Sequence, residues 1–489
     1  MFKFRTEDPA QLKTDMIVVP VCEDASITGN ATVSGLVEQA RSYPEFKGKT
    51  GDRMLLYRVD GVQSERVLFL GTGKKEKADA EAFRTIAGKA VRQAIDAGLE
   101  GIVFCMPDTG MNGLGPEDLA EAMMEGACLG NFLFDLYKQE RRKKTLKTIG
   151  FHTDLKSARQ YADLPDRVTT ICRGTLLARE WVSMPPNEKR PDRFSRSIVK
   201  AADKENLTLV VLDDRDLKKN KMHALMAVGS GSETRPRMVI IDYRPEGYEK
   251  TIVLVGKGVT FDSGGINLKP GGSLEDMKQD MAGAAAVAAT LITAARLELG
   301  HRIIGLLPLV ENMPSGDAYR PGDIVRTASG KTVEIGNTDA EGRMILADAI
   351  AYAIKQYNPD NLIDMATLTG ACVVALGQKI AGVFSSDEAL AGLIVASGKK
   401  THERCWAMPM PEDYKEILKS DFADIRNVGK SRWGGAIAAA LFLSEFTGDV
   451  PWAHIDIAGP AYITSANAYC EPGGTGFGVR LLIDVIEKL

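Results

Sequence analysis

Short runs of aliphatic and β-branched residues alternate along the chain with longer stretches whose apolar positions recur at helical spacing. In the first third, residues 16–21, 66–70, 101–106 and 148–152 read as strands, and 80–97 and 116–137 as helices. That alternation predicts an α/β unit built on a largely parallel sheet. Residues 164–182 carry one more helical pattern, which stops at Pro185 and Pro186. This places a smaller N-terminal α/β domain over 1–165, a connecting helix over 166–185 and a larger α/β domain over 186–489. In the larger domain, 207–212, 238–242, 251–255, 303–310, 361–365 and 453–457 read as strands, and 281–297, 343–355 and 434–446 as helices. The last third is rich in glycine and small residues, which suits close backbone approach around a site.

Composition narrows the class. The 489 residues are 44% hydrophobic and 26% charged, which excludes a disordered, collagen-like or coiled-coil chain. With 61 basic against 65 acidic residues the formal charge is −4, so a nucleic-acid coat protein is disfavoured. The seven cysteines (Cys22, Cys105, Cys128, Cys172, Cys372, Cys405 and Cys470) are widely spaced and form no C-x-x-C pair. They read as buried small hydrophobes in a reducing compartment, not as a disulfide framework or thiolate metal site. The N-terminus lacks the apolar stretch of a signal peptide, and no apolar run reaches the ~18 residues of a membrane span. A cytoplasmic protein without membrane contact is the expectation. Two basic runs, 141–144 and Lys218-Lys219-Asn220-Lys221, read as solvated surface.

Several familiar chemistries fail on single residues. The run 70–74 ends like a phosphate-binding loop, but Leu68 stands where the first glycine belongs. Gly256-Lys257-Gly258 opens like a dinucleotide fingerprint, but Phe261 replaces its third glycine. His402-Glu403 begins a zinc-protease motif that ends on Trp406 instead of histidine. Ser263 lacks the glycine-flanked elbow of a hydrolase nucleophile. The five histidines are scattered and read as structural, His454 beside Asp456 being the least certain of them.

What remains is a gathering of carboxylates between residues 251 and 370. A buried-type strand runs into the glycine-rich loop that holds Lys257, Asp262 and Lys269, and ligands in open α/β sheets bind beyond the carboxyl ends of strands. Asp280 falls at the first turn of an alanine-rich helix. Asp339 and Glu341 stand two apart in a turn ahead of another helix. Four carboxylates in one low-dielectric cleft repel each other, and two divalent cations would balance them. Oxygen ligands with few His or Cys suit Mn²⁺, Mg²⁺ or Zn²⁺. Such a pair can polarise a carbonyl and acidify water. Lys269 and Arg343 are the cations available for a developing oxyanion.

At these residues the chain resembles the leucine aminopeptidase (cytosol aminopeptidase) family and is similar to its bacterial members. The run Asn337-Thr338-Asp339-Ala340-Glu341-Gly342-Arg343 matches the family signature in full. The match extends through residues 255–265, 313–316, 319–323, 366–371 and 474–480, covers the chain after about residue 175, and is weaker in the N-terminal domain. The resemblance implies a two-domain α/β subunit with a mixed central sheet in its catalytic domain, assembled as a homo-hexamer. It implies hydrolysis of N-terminal residues, leucine and other neutral or apolar ones by preference, from peptides by a water activated between two divalent ions (Mn²⁺ or Zn²⁺, with Mg²⁺ or Co²⁺ as variants). Asp262 and Glu341 would bridge both ions, Asp339 would complete one site, and Lys257, as a neutral amine, would complete the other with Asp280. Lys269 would polarise the peptide carbonyl, and Arg343 would hold a bicarbonate that relays the proton. Thr367, Leu368 and Gly370 would bind substrate, and Met277 would line the pocket for its first side chain. Ala282 and residues 181–184 depart from the family pattern without touching a proposed ligand. The alternative kept beside this reading is a hexameric DNA-binding regulator or recombination accessory factor in addition to peptidase activity, using the two basic runs.

Overall fold

The computed structural model describes residues 2–140 and 143–489. Arg141 and Arg142 of the first basic run lie outside the described residues. The chain divides into two compact units: one runs to Cys172 and includes Ser465–Pro472, and the other comprises Arg173–Thr464 and Gly473–Leu489. The division falls inside the helix Leu164–Ser183.

The first unit is built on a six-stranded sheet in the order Phe2–Arg5, Thr148–His152, Gly101–Cys105, Met16–Cys22, Arg66–Gly73, Arg53–Tyr57. Only the last pairing is antiparallel. The helices Ala80–Asp96 and Pro116–Gly130 match the periodic stretches, but the second stops seven residues short of the pattern. Asn131 ends it: its side chain donates to the Leu146 carbonyl (3.1 Å) and accepts from the Leu146 amide (2.7 Å), which diverts the chain. The segment Ser465–Pro472, distant in sequence, is fastened here by an Arg92–Glu471 ion pair and by the Tyr469 hydroxyl donating to Glu81 (2.8 Å). No periodicity in the sequence announces that attachment.

The second unit carries a mixed sheet. Its path runs Cys405–Ala407, Ala381–Ser385, Trp452–Asp456, Asn361–Ala366, Thr251–Gly256, Arg302–Asn312, Arg237–Tyr243, Thr208–Leu212, and Gly258–Asp262 also pairs with Arg302–Asn312. The four central strands are mutually parallel. Val253, Val255, Ile304, Leu306 and Leu362 join Met344, Ile345 and Ile350 of the helix Glu341–Tyr357 in one apolar cluster. Alternate residues of a strand face opposite sides, and the other side is covered by Ala282–Arg296. This second helix is buried along thirteen of its fifteen residues. It lies so close that a Cβ on Gly283 would stand 2.0 Å from the Met365 carbonyl oxygen. The closeness serves the site, because the Ala284 amide donates to the Lys257 carbonyl (2.8 Å) just beyond a central strand.

All seven cysteines are buried and unpaired with one another. Lys218, Lys219 and Lys221 are exposed at the end of a short helix. No helix among the described residues is long and apolar enough to cross a membrane.

Candidate metal centre

The acidic pieces meet where the parallel strands end. Asp262 closes Gly258–Asp262, Asp280 precedes the helix Ala282–Arg296, and Glu341 opens the helix Glu341–Tyr357. All three are buried, and each offers a carboxylate oxygen within 4.8 Å of the others. Lys257, itself buried, reaches into the group from the end of Thr251–Gly256. Its Nζ lies 2.8 Å from Asp280 Oδ1, 2.9 Å from Glu341 Oε1 and 2.7 Å from the Thr367 carbonyl oxygen. Lys269 Nζ lies 2.8 Å from Asp262 Oδ2 and also contacts Asp339 Oδ1, which brings the fourth carboxylate to the cluster. Gly342 keeps the arrangement tight, since a Cβ there would stand 2.6 Å from Lys257 Cε.

The electrostatics are unbalanced. Four carboxylates meet two ammonium groups, and Asp280 Oδ2 and Glu341 Oε2 are buried with no hydrogen-bond partner. A buried charge without a partner is expensive, so such atoms suit the coordination of a cation. Burial pushes the Asp280 carboxyl well above its ordinary range, with Lys257 opposing. Burial and then the Asp262 charge raise Asp339 to about 6 against the pull of Lys269. For Lys257, burial works against the charge, but Asp280, Glu341 and Asp262 outweigh it and hold the amine protonated. The donor set suits hard divalent ions: oxygen atoms predominate, with one amine and no thiolate.

The remaining expected site residues surround this cluster. Arg343 is buried two residues beyond Glu341. Its Nη1 donates to the Asn427 carbonyl (2.7 Å), while its Nε has no partner. Burial lowers it to about 10. Thr367 joins the cluster directly, its hydroxyl donating to Asp280 Oδ1 (2.8 Å). Met277, half-buried, opens the short turn Met277–Gln279 before Asp280. Leu368 is half-buried on the turn that follows the strand Asn361–Ala366, and Gly370, exposed, opens the helix Gly370–Leu376. His454 stands apart: its Nδ1 pairs with Asp364 (2.6 Å), which also accepts from the Trp452 indole (2.7 Å) inside the core.

Sequence reasoning passed over four residues that organise this region. The Asn312 amide donates to Asp262 Oδ1 (2.8 Å) and to the Thr338 carbonyl (2.9 Å). The Thr338 hydroxyl donates to the Gly264 carbonyl (2.6 Å). Asn427 accepts from the Gly336 amide (2.7 Å), and Asp456 holds the 368–369 main chain and hydroxyl. Asn312 and Asp456 both close parallel strands, the same position that drew attention to Asp262.

The profile of the cytosol aminopeptidase family, catalytic domain, matches residues 176–483, and the N-terminal domain of that family matches 18–141. The chain belongs to the cytosol aminopeptidase family. A probable cytosol aminopeptidase of Cenarchaeum symbiosum is 40% identical over 484 residues, 98% of each chain. Another from Chlorobaculum tepidum is 42% identical over 474 residues, 93% of each. Among solved structures, the bottromycin maturation enzyme BotP in complex with Mn is similar at a TM-score of 0.87 and 34% identity, covering 97% of this chain and 99% of that one. This cytosol aminopeptidase fold therefore carries the cluster in the domain that the family's catalytic profile spans.

Proposed function

We propose that the chain is a metal-dependent aminopeptidase that removes leucine and other neutral or apolar residues from peptide N-termini with a pair of divalent ions. One observation carries it: buried, partnerless oxygens on Asp280 and Glu341 in the group they form with Asp262, to which Lys269 joins Asp339, in a cytosol aminopeptidase fold. Asp262 and Glu341 would bridge the pair, Asp339 would complete one site, and Asp280 with Lys257 the other. Mn²⁺ or Zn²⁺ is the natural occupant, and the Mn bound to BotP supports manganese. When bound, the ions supply positive charge that polarises the scissile carbonyl and acidifies water.

The chain's own groups do the rest. Cations among these carboxylates would take over the neutralisation that now keeps Lys257 charged, leaving its amine free to act as a ligand. Lys269, only partly exposed and paired with Asp262 and Asp339, would supply the positive charge for the oxygen that gains charge as the carbonyl carbon turns tetrahedral. Arg343 presents one unused guanidinium donor, its Nε, in a buried place, which suits a bicarbonate ion. The edge 367–370 receives the peptide, and Met277 faces its first side chain.

A homo-hexameric assembly and a cytosolic location belong to the same reading; relatives are named for the cytosol. The test is release of leucine from leucyl amide by protein stripped with a chelator and reloaded with Mn²⁺. Stripping is expected to abolish the activity and Mn²⁺ to restore it, while Asp339→Ala stays inactive. Full turnover by the stripped protein or by D339A contradicts the proposal.

A further inference from the structure

The aspartate at the end of the strand Trp452–Asp456 is not among the residues that meet the metal cluster, and no motif drew attention to it. It is 1% exposed. Its two carboxylate oxygens are taken up by one short piece of chain and its own loop. Oδ1 accepts from the Leu368 amide (3.2 Å) and the Ala458 amide (3.1 Å), and Oδ2 accepts from the Thr369 hydroxyl (2.7 Å). The same hydroxyl accepts from the Cys372 amide (3.1 Å) and so caps the helix Gly370–Leu376. The strands that carry the two ends are in register, with Ala366 opposite Asp456, and the Ile457 amide donates to the Ala366 carbonyl (2.8 Å).

The other end of that turn is held by the metal cluster, through the Thr367 hydroxyl on Asp280 and the Thr367 carbonyl under Lys257. Residues 367–369 are therefore tied at both ends. Thr367 follows the carboxylates, and Leu368 and Thr369 follow Asp456. Arg343 feels Asp456 as well, since that negative charge, after Glu341, offsets part of the effect of burial on the guanidinium. A fully buried carboxylate is retained only where it is well bonded, and here two of the three bonds, those from the Leu368 amide and the Thr369 hydroxyl, go to the segment that the proposed reaction uses to receive its peptide.

We infer that Asp456 is a positioning residue for the peptide-binding turn: through the Leu368 amide and the Thr369 hydroxyl it sets the distance between the 367–370 edge and the metal cluster. The inference rests on the peptidase reading above. It separates two jobs within one site. The carboxylates 262, 280, 339 and 341 bind metal, and Asp456 places the surface against which the substrate's main chain lies.

The test compares D456N, T369V and T369S with the parent, each as the full chain loaded with Mn²⁺, using leucine p-nitroanilide as substrate and calorimetric titration with MnCl₂. An interaction made equally in bound substrate and transition state changes KM and leaves kcat. D456N is expected to raise KM about 10- to 100-fold, the worth of a charge-assisted hydrogen bond, with kcat and Mn²⁺ stoichiometry and affinity kept. T369V is expected to raise KM in the same direction, and T369S, which keeps the hydroxyl, to recover it. Hydrogen exchange at the Leu368 and Cys372 amides is expected to quicken in D456N without substrate. If D456N does not fold, T369V against T369S decides. Parent KM in both D456N and T369V overturns the inference, as does loss of Mn²⁺ binding in D456N, which would place Asp456 in the metal set. A parent that releases no amino acid at all overturns the peptidase reading instead, and the two failures are told apart by that control.

Discussion

The side-chain amide of Asn312 stands 2.8 Å from Asp262 Oδ1 and 2.9 Å from the Thr338 carbonyl, so one buried group spans the two loops that bring Asp262 and Asp339 together. Asp262 also accepts from the Gly264 amide (2.9 Å), which leaves its carboxylate little freedom to turn. Replacing Asn312 by alanine removes both bonds and leaves the Thr338 carbonyl to the Tyr319 hydroxyl (2.8 Å) alone. Groups that orient a metal ligand typically contribute 10- to 100-fold in affinity. Asn312→Ala is expected to weaken Mn²⁺ binding by about that factor, as read by calorimetry, with far-UV circular dichroism unchanged. Parent affinity in the variant would show that the loops hold their register without it.

Much of this site was legible before any coordinates, and the reason is local. Asp339, Glu341 and Arg343 lie within five residues, and Lys257, Asp262 and Lys269 within thirteen, so sequence proximity already limits the separation inside each piece. Spacing alone does not bring these two pieces and Asp280 together; that convergence, and Lys257 as a ligand, came from the resemblance to the cytosol aminopeptidase family. Asn312 and Asp456 escaped because their importance is a matter of partners, and those partners lie 50 and 87 to 88 residues away. The strands Phe2–Arg5 and Arg53–Tyr57 escaped for another reason. Each sits at an edge of its sheet, with a burial pattern that includes no fully buried residue, so the apolar signal that marks central strands is absent. The segment Ser465–Pro472 joined the first unit through single pairings, Arg92 with Glu471 and Glu81 with Tyr469, which no window of sequence displays.

Gly342 is the tightest point of the signature. A methyl group there would meet Lys257 Cε at 2.6 Å and Nζ at 2.8 Å, and Lys257 is itself walled in at 3% exposure. Gly342→Ala forces the lysine off Asp280 and Glu341. Overpacking of this kind costs about 1–3 kcal/mol, to be read as a lower urea midpoint, and metal affinity is expected to fall with it. A variant with parent midpoint and parent Mn²⁺ affinity would mean that the close approach is not needed.

The helix Glu341–Tyr357 also buries Asp348, whose carboxylate accepts from the Leu225 amide (2.9 Å) and the Ala328 amide (2.7 Å) and meets no cation among those contacts. Burial raises it from 3.8 to about 7 in spite of these bonds. The folded chain therefore holds this proton more tightly than the unfolded chain does. Its contribution to stability is complete below about pH 4, is lost as pH rises toward 7, and is flat above. The stability of the parent relative to D348N is expected to fall across that interval, by at most ~1.4 kcal/mol per pH unit, in urea titrations at fixed ionic strength. A difference that does not vary with pH contradicts the assignment.

Asp262, Asp280, Asp339 and Glu341 are expected to enclose a pair of divalent ions. Anomalous diffraction from crystals grown with Mn²⁺ tests this without reference to activity. Two manganese peaks are predicted inside the cluster, both against Asp262 and Glu341, one also against Asp339 and the other against Asp280 and Lys257. An empty cluster, or a single peak held by other residues, would contradict it.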